Sequence, residues 1–125
     1  MTPSTGMARA GHRGVEICLD RLAGALSSRD VEGARAAYFE TRRAAFAHYE
    51  HEERTLFAAL RPHLGELVEK MQGQHDEARE IAAHLDDAAL PEAEWVALAR
   101  RFLAITQHNV IEEERDLFAL ADKLR

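Results

Sequence analysis

The sequence predicts an all-α protein, an antiparallel up-down four-helix bundle, and three observations carry that reading. Apolar residues recur every three or four positions in four separate segments, the spacing of one helical face. The breakers are few, three prolines and seven glycines, while Ala, Leu, Glu and Arg are abundant. No run alternates apolar and polar residues as a half-buried strand would. Short connections between such segments place successive helices side by side and antiparallel.

The first segment carries His12, Val15, Leu19, Leu22 and Leu26 in a 3,4,3,4 pattern. "SSRD" at 27–30 interrupts it, and the Asp30 carboxylate is suited to cap the next helix. The second segment, about Val31 to Leu60, carries Tyr38, Ala45, His48, Glu52, Leu56 and Ala59, with Pro62 marking its end or the start of the next. The third carries Leu64, Val68, Met71, His75, Ala78, Ala82 and Leu85. "DDAALPEAEW" at 86–95 is a turn with Pro91 at the opening of the fourth segment, whose stripe is Leu98, Phe102, Ile105, His108 and Glu112. Residues 1–11 are expected to be a flexible start and 12–125 the bundle domain.

Composition limits the function classes. At 125 residues, with 46% hydrophobic and 30% charged residues, the chain is the size of one soluble domain with a single core. A formal net charge of −6 and no basic block disfavour nucleic acid as a partner. No apolar run is long enough to span a membrane, and "MTPSTGMARAG" lacks the apolar core of a signal peptide, so a cytoplasmic protein is expected. The single cysteine, Cys18, excludes an internal disulfide or a cysteine-based zinc cluster and reads as a buried, inert thiol.

The chemistry lies in the histidines. His12, His48, His75 and His108 each fall on the apolar stripe of a different helix, and two have a glutamate four residues on, Glu52 and Glu112. Positions i and i+4 share a helix face, so helices two and four each offer an imidazole and a carboxylate to the interior. Buried imidazoles and carboxylates need a partner, and a divalent metal supplies one. Nitrogen and oxygen donors suit iron, manganese or zinc. Two carboxylates among four imidazoles suggest two metals bridged by carboxylate, with positions left for a small molecule.

The motifs "GHRGVEICLDRL", "HYEHEERTLF", "GQHDEAREI" and "HNVIEEERDLF", taken in this order, resemble the hemerythrin-like family, the HHE cation-binding domain, from about His12 to Leu120. The resemblance implies a non-haem di-iron centre in a four-helix bundle, with an oxo or hydroxo bridge, in which zinc or manganese can replace iron. By that likeness one iron takes His12 and His48, the other takes His75 and His108, and Glu52 and a helix-four glutamate bridge them. Counting from His108 selects Glu112, and aligning on Leu117-Phe118 selects Glu113. Glu112 is preferred because i+4 requires no helix distortion. Where oxygen-carrying members have a further histidine one turn on in helix three, this chain has Arg79.

The implied partner is a small diatomic or peroxide ligand: dioxygen, nitric oxide or hydrogen peroxide. A peroxidase- or catalase-like enzyme and an iron- or redox-responsive module for sensing or handling iron are the alternatives. The sequence does not choose among carrier, sensor and enzyme, and it identifies no protein partner. Asp76 or Glu77 is expected to accept a proton from a metal-bound imidazole. Trp95 and Phe39 suit either core or interface. His63 and His84, near helix ends, carry no assigned chemistry.

Overall fold

A computed structural model describes residues 5–124, which are almost entirely helical and contain no strand. Helix α1 spans Gly6–Ser27 and α2 spans Val31–Glu52; a π-helical turn, Glu53–Phe57, leads into α3, Ala58–Leu85. After a loop, α4 spans Glu92–Glu112, a second π-helical turn covers Glu113–Phe118, and α5, Ala119–Lys123, completes the described chain. Helix α1 thus begins within the stretch expected to be flexible, residues 1–11. Ala8 is buried in the core and Arg9 pairs with Asp122 at 2.9 Å, which holds residues 6–11 in the fold. Residues 1–4 lie outside the described residues.

The expected break at 27–30 is present. Arg29 has φ 59°, a left-handed conformation that turns the chain, and the Asp30 carboxylate accepts from the Gly33 amide at 2.9 Å. The break expected near Pro62 is softer than a loop. Helical hydrogen bonding runs on from Val31 to Leu85, and Leu64 alone leaves helical geometry, at φ −131° and ψ 42°. Pro62, with no N–H to donate, weakens the helix there. The chain nonetheless doubles back at this kink. The Tyr38 hydroxyl donates to the Ala82 carbonyl at 3.2 Å, and Gln72 donates to Glu53 at 2.9 Å.

Helix α1 packs along α2 and against α4, while α3 packs along α4. The core has two apolar parts. One holds Val15, Leu19, Leu22, Tyr38, Trp95 and Phe102; the other holds Leu56, Phe57, Leu60, Met71, Leu117 and Phe118. Each large side chain contributes about 1.5–3 kcal/mol by leaving water. Trp95 is a core residue, with Tyr38 edge-on to it, and Phe39 is 57% exposed. Among the described residues no helix is long and apolar enough to cross a membrane.

The buried stripes of α1, α2 and α3 follow the sequence pattern, but that of α4 is turned from the expected one. Trp95, Ala99, Phe102, Thr106, Asn109, Val110, Glu112 and Glu113 are buried, while Leu98 and Ile105 are half-buried and His108 is exposed. Thr106 and Asn109, polar and fully buried, sit where an apolar pattern does not reveal them.

Candidate metal centre

The two apolar parts of the core are separated by a polar layer. Each helix that crosses this level contributes to it: His12 from α1, His48 and Glu52 from α2, His75 from α3, and Asn109 and Glu113 from α4 and its π-helical turn. His12, His75, Asn109, Glu52 and Glu113 are at most 1% exposed, and His48 is 9% exposed. Glu52 Oε2 lies 3.4 Å from His12 Nε2 and 3.2 Å from His48 Nε2, while its Oε1 lies 3.2 Å from His75 Nε2. Glu113 Oε1 lies 2.9 Å from His12 Nε2, and its Oε2 lies 2.9 Å from His75 Nε2. Each carboxylate therefore turns one oxygen to the His12 side and the other to the His75 side.

Four of these residues, His12, His48, Glu52 and Glu113, each offer one donor atom, and the four atoms lie within 4.8 Å of one another. Both Glu52 oxygens and His48 Nε2 are buried without an aligned hydrogen bond. Groups left this way cost free energy unless something coordinates them. A cation satisfies all of them together, so the donor set fits a metal.

Aromatic rings hold the imidazoles in place. Phe118 stacks on His12 with centroids 5.1 Å apart. His75 stacks on Tyr49 at 3.8 Å and on Phe57 at 5.1 Å. The repeated Leu-Phe pair thus supplies one clamp for each side. The paired glutamates also divide their work. Glu53, next to Glu52, accepts from His75 Nδ1 at 2.8 Å and is itself gripped by both Arg79 terminal nitrogens at 2.7 and 2.9 Å. Glu114, next to Glu113, lies 3.8 Å from His12 Nδ1 and is held by Arg13. A bond like that of Glu53 fixes a ligand imidazole's tautomer and orientation, whereas Glu114 stands beyond hydrogen-bond distance of His12. Both π-helical turns begin directly after Glu52 and Glu112, the kind of distortion often found at functional sites.

The structure brings together part of the expected donor set. His12, His48, Glu52 and His75 converge, but His108 and Glu112 do not join them. The His108 side chain is 56% exposed and pairs at 2.9 Å with Glu112, which is itself buried but engaged away from the centre. Glu112 also accepts from Gln74 at 2.7 Å and lies 3.2 Å from Lys70. Glu113, the alternative, stands at the centre, one turn beyond Asn109 rather than His108. Asp76 and Glu77 are exposed, and Glu53 takes the role expected of them. Arg79, read only as a missing ligand, anchors Glu53. The repeated Glu-Glu doublet before Leu-Phe was the available signal for this role.

The family model described as the hemerythrin HHE cation binding domain matches residues 7–121, nearly the whole chain. The chain belongs to that family. No curated protein and no solved structure matches it.

The electrostatics of this HHE domain follow from burial working against contact. Burial pulls the His12 imidazole down, but Glu113 and Glu52 beside it overcome this and raise it from 6.5 to about 9. The same balance raises His75 to about 9. Burial pushes Glu52 up, yet the nearby His12, His48 and His75 hold it well below 4.5. In the metal-free domain, imidazolium protons thus supply the positive charge that the carboxylates need.

The sign of the pH dependence follows. An imidazole raised on folding contributes stability that is complete below 6.5 and lost as pH rises through about 9. A carboxylate lowered on folding contributes stability present above 4.5 and lost as pH falls below it. Metal-free protein is therefore expected to melt at least about 5 °C lower at pH 9 than at pH 6. Thermal melts in chelator across this range test it, and a melting temperature that climbs with pH contradicts it.

Proposed function

We propose that this HHE domain is a non-haem di-iron protein that binds or reacts with a small molecule such as dioxygen, nitric oxide or peroxide. The kink at Leu64 divides the Val31–Leu85 run into two antiparallel bundle helices, so the architecture is read as a four-helix bundle around the centre. One observation carries the dinuclear reading: Glu52 and Glu113 each offer one oxygen to the His12 side and one to the His75 side. His12 and His48 would hold one ion, His75 the other, and the two carboxylates would bridge them. Iron there would supply reversible one-electron chemistry and open coordination positions. The apolar layers on either side restrict water, and Glu53 and Arg79 fix the His75 ring. Zinc and manganese suit the same donors.

The test is metal content per chain after anaerobic iron loading, followed by exposure of the ferrous form to nitric oxide, dioxygen and hydrogen peroxide. Two irons per chain and a spectral change with at least one of these is the expected result. Failure to retain iron, with no uptake on reconstitution, overturns the reading. Sustained peroxide turnover would identify the enzyme alternative, and apo and holo forms with similar melting curves would count against an iron-responsive folding switch.

A further inference from the structure

The two sides of the centre are not equivalent. The His12 side has two imidazoles and an oxygen from each bridging carboxylate. The His75 side has one imidazole, again with an oxygen from each carboxylate. The reason lies in the near-copies. In the first, His48 stands one turn before Glu52; in the second, Asn109 stands one turn before Glu113. Asn109 is fully buried, and its Nδ2 donates to Glu113 Oε2 at 3.0 Å and to Gln74 Oε1 at 2.9 Å. Asn109 Oδ1 is buried without a hydrogen bond. Gln74 of α3 in turn donates to Glu112, so carboxamides from α3 and α4 and a carboxylate occupy the place where a second imidazole would be needed. His108, the nearest imidazole on that helix, is committed to the surface.

We propose that the centre holds two cations of unequal strength: a tight position at His12 and His48 that fills first, and a one-imidazole position at His75 that fills second and exchanges readily. This rests on the metal-binding reading above and specifies it. A carboxamide is a far weaker ligand than a neutral imidazole for these metals, and Asn109 here is engaged in holding Glu113. The His75 position keeps more coordination sites free, so it is the one to which a small ligand would add. The loss of an imidazole donor separates the two affinities by on the order of 100-fold, the upper end of what the loss of an outer hydrogen-bond partner costs.

The experiment is an anaerobic titration of the metal-free full chain with Co(II), followed by calorimetry and by the visible ligand-field bands. Two classes of site are expected, one ion each, with the second about 100-fold weaker. His75→Ala is expected to abolish the weak class and keep one tight ion, whereas His48→Ala weakens the tight class. Asn109→His is expected to bring the two classes together. Two ions bound as one class of equal affinity, or His75→Ala weakening both classes alike, overturns the inequality while leaving metal binding intact. Uptake of no cation overturns the metal reading itself, and the inference with it.

Discussion

If the centre is di-iron as proposed, Glu113→Ala is expected to remove iron from both positions, and Glu112→Ala to leave both in place. Glu113 is shared: it meets His12 through Oε1 and His75 through Oε2, both at 2.9 Å. Its loss would deprive each proposed ion of an oxygen and leave Glu52 to face the Nε2 atoms of His12, His48 and His75 without it. Affinity should fall at least about 100-fold at each position. The metal-free protein should also lose about 3 kcal/mol, because removing one member of a buried charged cluster strands the others. Glu112, by contrast, bonds outward to His108, Gln74 and Lys70. Its replacement strands the Gln74 carboxamide and should cost about 1–3 kcal/mol without touching the centre. Metal analysis of both variants beside denaturant melts of their metal-free forms checks the register. Retention of iron by Glu113→Ala, with loss in Glu112→Ala, would reverse the assignment.

That register is where the sequence was hardest to read. Helices α1, α2 and α3 are legible in the sequence because apolar residues dominate their buried faces, and His12, His48 and His75 sit within those faces. In α4 the buried face carries Thr106 and Asn109, so a hydrophobic pattern drifts toward Leu98, Ile105 and His108. The i+4 rule then selects Glu112 from His108, although the same rule applied from Asn109 selects Glu113. Alignment on Leu117-Phe118 contained the answer, since Phe118 must reach His12 as Phe57 reaches His75. The kink at Leu64 was also displaced from expectation. Proline weakens a helix locally, and the backbone leaves helical geometry two residues on, at Leu64. The local sequence does not mark Glu53 and Arg79, because their partners are close only after the chain doubles back.

Gly11→Ala is expected to damage the tight position, and Gly14→Ala to spare it, although both substitutions replace glycine in the same helix. A Cβ on Gly11 would overlap the His48 ring, with Nδ1 as its nearest atom and Cε1 at 2.6 Å. Helix α1 can approach α2 this closely only because position 11 has no side chain. His48 is not the free end of a flexible chain here. It is edge-on to His12 with centroids 4.7 Å apart, and it lies beside Glu52. An added methyl must therefore push the ring from the donor cluster or prise α1 from α2, at a cost of about 1–3 kcal/mol for overpacking. Gly14 meets nothing within 4 Å, so alanine there should stabilise by about 0.5–1 kcal/mol through helix propensity alone. Cobalt titration of the two variants separates the effects. Gly11→Ala should weaken the first equivalent at least about tenfold, in the range seen when a ligand's orientation is lost, and Gly14→Ala should bind as the parent does. Equal affinities in the two variants would mean that His48 does not ligate from this position, and the tight set would then have to be built without it.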